Sequence, residues 1–294
     1  MVTRFIQYLK SEKRYSEHTL RAYKSDMQQL VAYFDIADNE LINVSHRQLR
    51  LWFSELMSQG LNARSVNRKI SSASAFYSYL VRERLLAQNP IEKVITPKNA
   101  KRLPFFYKEE ELHALLDGER DGSSYEEQRN HAMIELLYAT GMRLSELVGL
   151  RCNDVSLDAQ TVKVLGKGNK ERIIPLCPSL CQELRLYAET LSSHFAALPD
   201  SAFFRTAKGE PVYPGLVYRV VHSGLEMQGV KGKKSPHVLR HSFATHMLNN
   251  GANLNSIKDL LGHSSLRATQ VYTHNSVEKL LKSYHNAHPH AGDN

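Results

Sequence analysis

The side chains best suited to chemistry lie in the second half of the chain, in a definite order. Arg143 and Glu146 stand in TGMRLSELVGL, Lys167 in GKGNKERIIPL, His237 and Arg240 in SPHVLRHSF, His263 in LLGH and Tyr272 in VYTH. A phosphate under nucleophilic attack gathers negative charge on its equatorial oxygens, so fixed cationic donors must surround it. Arginine fits that task, because its planar fork binds two oxygens at once and keeps its charge. The nucleophile must sit in line, and the leaving oxygen needs a proton. Tyr272 offers the nucleophile, and Arg240 with His237 and His263 the groups to hold the phosphate oxygens, while Arg143 and Lys167 stand as further cationic candidates. The chemistry this set predicts is phosphodiester cleavage with no cofactor and no metal.

Taken singly, each residue has a plainer role. His237 and Arg240 at i,i+3 make an ordinary helix surface pair. His263 after Gly262 fits a helix end, Lys167 between two glycines fits a turn, and Tyr272 is one of 14 tyrosines. A metal hydrolase is the rival use of the histidines, with His237 and His241 at i,i+4. Between them stand Val-Leu-Arg, with no glutamate base as in H-E-x-x-H, and an adjacent arginine repels a cation.

The elements that must position these residues follow from periodicity. The first domain is placed at residues 1–94, with residues 1–90 predicted to be helical throughout. One helix runs from Tyr15 to Ile36, a second follows a Ser45 cap and stops at Gly60, and a third follows an Asn62 cap and runs to Leu86. The stretch 95–104, ITPKNAKRLP, has two prolines and no apolar period and is predicted to be a linker. Residues 105–294 form the second domain. Glu109, Glu110 and Glu111 open a helix, another runs from Tyr125 to Ala139 and breaks at Gly141, and a short one follows. TVKVLG and RIIPL flank KGNKE as a hairpin. Helices are then predicted near 178–192, 214–228, 236–250, 253–261, 264–272 and 276–285. The fold class is mostly α, an N-terminal helical bundle plus a mainly α second domain with one small antiparallel sheet.

With 42% hydrophobic and 23% charged residues over 294 positions, the chain has an ordinary globular make-up. It holds no run of about 18 apolar residues, and its first residues are too charged for a signal peptide, so a soluble cytoplasmic protein is expected. Three cysteines, Cys152, Cys177 and Cys181, fit buried reduced thiols better than a disulfide framework. The formal charge of +8 sits in the first domain, where residues 1–104 carry 17 basic against 9 acidic side chains. That excess suits a polyanion. Arg64, Arg68 and Lys69 on the third long helix are the candidate DNA contacts, joined along it by Arg82 and Arg84. A solvated basic face is the alternative for the same residues.

On these motifs the chain resembles the tyrosine recombinases of the integrase family, and within them the bacterial Xer type. The likeness runs from SEHTLRAYKSDMQQL to the final AHPHA, and SSLRATQVYTH is nearer the C-type member than the D-type. It implies a SAM-like core-binding domain followed by a catalytic domain of the DNA breaking-rejoining fold. It further implies that Arg143, Lys167, His237, Arg240, His263 and Tyr272 are the catalytic set. Tyr272 would then form a 3′-phosphotyrosyl link and release a 5′-hydroxyl, with Lys167 protonating that oxygen. The phenol, with a pKa of about 10, leaves far more readily than an alkoxide, so the partner strand reverses the step without ATP.

The implied partner is double-stranded DNA, with four protomers meeting on it, all alike or shared with a second Xer-type recombinase, under a septal FtsK-like DNA translocase. The implied task is chromosome dimer resolution. A mobile-element integrase with the same chemistry and a non-catalytic DNA-binding protein are the alternatives. The tail from Ser276, with Leu280, Leu281 and Tyr284 at helical spacing, is expected to dock on a neighbouring protomer.

Overall fold

A computed structural model of the chain describes residues 1–98, 105–118, 124–166, 170–195, 201–262 and 287. It divides into two compact units, Met1–Arg102 and Leu103–Asn294.

The first unit is built of α1 (Val2–Ser11), α2 (Glu17–Phe34), α3 (His46–Ser58) and α4 (Ala63–Arg82). Their starts are set by side chains that satisfy the orphan N–H groups of a first turn. Ser16 Oγ accepts from the Thr19 amide, Ser45 forms a reciprocal capping box with Gln48, and Asn62 accepts from the Ser65 amide. The buried faces of these amphipathic helices meet in a core of Phe5, Met27, Leu30, Trp52, Phe76 and Tyr77. Phe5 and Phe76 pack edge to face, with centroids 5.3 Å apart. The stretch after α4 stays with this unit as far as it is described, since Asn67 Nδ2 donates to the Pro97 carbonyl at 2.9 Å.

The second unit contains α5 (Glu109–Leu116), α6 (Tyr125–Thr140), α7 (Leu144–Val148), β1 (Val155–Ser156), β2 (Thr161–Leu165), β3 (Glu171–Pro175), α8 (Pro178–His194), α9 (Pro214–Met227), α10 (Pro236–Asn249) and α11 (Leu254–Leu261). The strands form one antiparallel sheet in the order β1-β2-β3, with Val164 opposite Arg172 and Val162 opposite Ile174. The helices expected at 264–272 and 276–285 lie outside the described residues.

Helix α6 is the axis of this unit. It is buried almost all round rather than on one face, and α5, α7, α8, α9 and α10 all pack against it. Its buried polar groups are therefore paired across to other elements. His131 hydrogen-bonds the Leu116 carbonyl through Nε2 at 2.9 Å and faces Glu183 through Nδ1 at 3.1 Å. The helix ends where predicted, at Gly141, whose φ of +59° is a left-handed conformation that a Cβ disfavours.

Helix α10 is fixed by a buried chain of hydrogen bonds. His246 Nε2 bonds the Tyr107 carbonyl at 2.9 Å, so that nitrogen carries the proton, and Nδ1 accepts from the Tyr138 hydroxyl at 2.9 Å. Ser242 Oγ accepts from the Tyr107 amide, and the Tyr107 hydroxyl takes the Ser235 amide at the helix start. The result anchors both ends of α10 between α6 and the residues just before α5. Cys177 and Cys181 are buried free thiols, as expected, whereas Cys152 is exposed.

Candidate active site

Arg143 stands at the N-terminus of α7, immediately after the turn that closes α6. Glu146, one turn on, caps that short helix by accepting from the Arg143 amide at 2.7 Å through one oxygen. Its other oxygen accepts from Arg143 Nη1 at 2.7 Å. A single buried carboxylate thus holds both the backbone and the guanidinium of Arg143. The Arg143 side chain keeps 29% of its surface exposed, which leaves it able to meet a ligand.

Arg240 lies on α10, one turn after His237 on the same face. It is half-buried, and its two terminal nitrogens donate to Gly141 O and Leu261 O, each at 2.6 Å. The same corner receives Arg143 Nη2, which donates to Gly262 O at 3.2 Å. A third guanidinium joins them. Arg172 on β3 donates from Nε to Leu260 O at 2.6 Å and from both terminal nitrogens to the two Glu146 oxygens, each at 2.8 Å.

Three consecutive carbonyls at the end of α11, Leu260, Leu261 and Gly262, therefore each accept from a different arginine. The last carbonyls of a helix have no partner within it and carry the negative end of its dipole. They are a natural place to collect cations. Gly262 has φ +62°, which ends α11 there and leaves its carbonyl to Arg143.

Two of the three guanidiniums, Arg143 and Arg172, pair with the one carboxylate of Glu146, so the cluster carries a net charge of about +2 with all groups ionised. Burial pushes Arg240 down to about 10, helped by the charges of Arg143 and Arg172 and opposed by Glu146. It is still protonated at neutral pH, and an incoming anion relieves the repulsion. Burial alone would raise the Glu146 carboxyl, but the hydrogen bonds from Arg172 and from the Arg143 amide outweigh it and hold it below the usual range. Chemically, the corner is a preorganised anion seat.

The N-terminal matched segment, residues 2–84, fits the model described as "Phage integrase, N-terminal SAM-like domain", and residues 106–279 fit the one described as "Phage integrase family". The chain belongs to the phage integrase family, the tyrosine recombinases. It is 39% identical over 300 residues to Tyrosine recombinase XerC of Halalkalibacterium halodurans, covering 99% of this chain and 97% of that one. It is 36% identical over 291 residues to Tyrosine recombinase XerC of Bacillus subtilis, covering 98% and 95%. Among solved structures, a XerH site-specific recombinase bound to a palindromic difH substrate in a post-cleavage complex shares the fold, with a TM-score of 0.71 at 22% identity over 96% of this chain and 84% of that one. A lambda integrase dimer bound to a COC' core site matches with a TM-score of 0.66 at 18% identity, over 92% and 97%. The chain is thus a XerC-like tyrosine site-specific recombinase.

In this recombinase the fold brings Arg143 and Glu146 at α7, Arg172 of β3 and Arg240 of α10 together from three separate segments. His237 is exposed on the first turn of α10. Lys167, His263 and Tyr272 lie outside the described residues, as do Leu280, Leu281 and Tyr284 of the tail. Ala287 of the tail is described and is buried in the core of its own unit, with its carbonyl accepting from Asn250 Nδ2 at 3.0 Å. The expectation of a tail docked on a neighbour does not extend to that residue.

Of the basic residues on α4, Arg64 is exposed, and Arg68 is partly exposed while ion-paired with Asp26. Lys69 departs from the expectation of a DNA contact. It is 3% exposed, and its ammonium donates to Asp26 Oδ1 at 3.0 Å and Gln29 Oε1 at 2.5 Å. The physical reason is the buried Asp26, whose charge needs a cation inside the bundle. Arg172 is not one of the residues by which the motifs mark the site. The signal was present, since strand alternation puts it on the inward face with Ile174, and a charge at an inward position needs a partner.

Proposed function

We propose that this recombinase cuts and rejoins double-stranded DNA at a specific site through a 3′-phosphotyrosyl intermediate formed on Tyr272. The observation that carries the reading is the convergence of Arg143 and Arg240 on the end of α11, beside one carboxylate, with charge to spare for an anion. Arg143 and Arg240 bind the non-bridging oxygens of the scissile phosphate. His263 adds a donor, His237 assists proton transfer near the tyrosine, and Lys167 protonates the leaving 5′-oxygen. Glu146 orients Arg143 and does not react.

The first unit is the core-binding domain, which holds DNA through exposed basic residues of α4 such as Arg64 and Arg68, and the second is the catalytic domain. Four protomers act on two duplexes, either all copies of this chain or together with a second Xer-type recombinase. The near full-length likeness to XerC relatives supports resolution of chromosome dimers as the biological task.

A nicked suicide duplex carrying a candidate recombination site, incubated with the protein in EDTA, tests this directly. The wild type is expected to form a covalent adduct on a denaturing gel, and Tyr272→Phe to form none while still shifting the duplex on a native gel. An adduct that persists in Tyr272→Phe moves the nucleophile elsewhere. An adduct that requires a divalent metal returns the histidines to a hydrolase role.

A further inference from the structure

Arg172 makes no contribution to the motif set, yet it is the most enclosed of the three guanidiniums in the anion seat, with 5% of its side chain exposed. Each of its three nitrogens already donates within the protein, two to the Glu146 carboxylate and one to Leu260 O. Its surroundings are fitted to it. A Cβ placed on Gly262 would come within 3.1 Å of Arg172 Nη1 and 3.2 Å of its Cδ. Glycine there leaves the guanidinium its seat.

A stabilising role alone does not account for this arrangement. Glu146 is already neutralised by Arg143 at 2.7 Å. A second guanidinium on the same carboxylate brings a like charge beside Arg143 and Arg240, which costs stability. What the second fork adds is an outside anchor. The Arg143 amide and Nη1 already take one Glu146 oxygen each, but both belong to the residue that is to be positioned. The two parallel N–H···O bonds from Arg172 tie the plane of the carboxylate to β3, a separate element. Fixing Glu146 fixes Arg143, whose amide and Nη1 both hang on it. The bond to Leu260 O ties the same guanidinium to the helix end that holds Arg240 through Leu261 O.

We propose that Arg172 is a positioning residue for strand cleavage, clamping Glu146 and the end of α11 so that the Arg143 and Arg240 forks stand where the scissile phosphate binds. This rests on the reading of Arg143 and Arg240 as phosphate ligands. Lysine cannot take over the role, because it offers a point charge without a fork.

The test compares full-length wild type, Arg172→Lys and Arg172→Gln on two suicide duplexes, one with a natural scissile phosphate and one with a neutral methylphosphonate there. Glu146 keeps Arg143 in both variants, so folding is expected to survive. On phosphate, cleavage is expected to fall about 10- to 100-fold, as for a displacement of about 1 Å at a reacting centre, with DNA affinity within about twofold of wild type. On methylphosphonate, where the charge those arginines neutralise has been removed, the gap to wild type is expected to shrink to about threefold. In a Glu146→Gln background, Arg172→Lys is expected to add less than about threefold, because the two act as one unit.

An equal gap on both substrates, or full additivity with Glu146→Gln, overturns the assignment. So does failure of both variants to fold, or a parallel loss of cleavage and DNA affinity, since each makes Arg172 structural. Arg143→Ala is the separate control. If it cleaves phosphate at the wild-type rate, the reading of Arg143 falls, whatever Arg172 does.

Discussion

Arg240 and Arg143 are held by adjacent carbonyls of one helix end, Leu261 O accepting from Arg240 Nη2 at 2.6 Å and Gly262 O from Arg143 Nη2 at 3.2 Å. Their separation is therefore set by the geometry of a single turn of backbone rather than by two independent side-chain conformations. Backbone carbonyls at a helix terminus are rigid acceptors, so the two guanidiniums are oriented before any ligand arrives. On the proposed function, little reorganisation would remain when charge develops on the phosphate.

Loss of the Arg240 fork is expected to remove a large share of catalysis. Arg240→Ala should lower the rate of covalent adduct formation by about 100- to 1,000-fold, in the range of one lost oxyanion donor. Arg240→Lys should recover little of it, since one ammonium cannot donate to Gly141 O and Leu261 O and also to a ligand in the same plane. Single-turnover cleavage of a suicide duplex, with affinity measured alongside, checks both.

Gly141→Ala should damage stability and cleavage together. Its φ is +59°, and a Cβ there would sit 2.4 Å from Phe243 Cδ1 and 2.9 Å from Leu261 Cδ2. Left-handed backbone costs a non-glycine residue about 1 kcal/mol, and overpacking of this kind about 1–3 kcal/mol more. Because the Gly141 carbonyl holds Arg240 Nη1, relief of the clash displaces the fork. Urea unfolding and adduct formation on the same protein measure the two effects.

Stability should fall as pH drops from about 7.5 to 5.5, with His246 as a main contributor. Burial holds its imidazole below the ordinary value, opposed by Glu109, by its bond to Tyr107 O and by Glu110, and assisted by His113. The unfolded chain takes up a proton near pH 6.5 that the folded chain resists, so the contribution is full above that pH and is lost progressively as pH falls from there toward the lower folded value. Glu146, also held below its usual range, adds a second loss in the same direction further into acid. Urea midpoints across this range should show the slope near pH 6.5 flatten in His246→Gln.

DNA binding should separate the neighbours on α4. Arg64→Ala is expected to reduce the slope of log affinity against log salt by about 1, as for one lost phosphate contact. Lys69→Met should leave that slope unchanged, because its ammonium is buried on Asp26. It should instead destabilise the chain by about 3 kcal/mol or somewhat less, Arg68 remaining as the partner of Asp26. Salt titrations of duplex binding and urea unfolding distinguish the two residues.

The sequence disclosed most of the local structure, for a physical reason. Helix starts at Ser45 and Asn62 and helix ends at Gly141 and Gly262 depend on bonds within one turn and on left-handed backbone, both written in neighbouring residues. The alternation of β2 and β3 and the i,i+3 pairing of His237 with Arg240 are equally local. Lys69 turns inward against expectation, because basic spacing along a helix does not reveal whether a buried acid such as Asp26 faces it from another.

Residue types and their order along the chain were enough, by themselves, to point to the tyrosine recombinase family and to single out Arg143 and Arg240 as candidate phosphate ligands. Only the tertiary structure decided how those arginines are held. Arg143, Arg172 and Arg240 find their carbonyls on α11 from three different elements, and Glu146 joins two of them. Such bonds form only after the core around α6 has packed, and no local pattern encodes which carbonyl a distant guanidinium will meet.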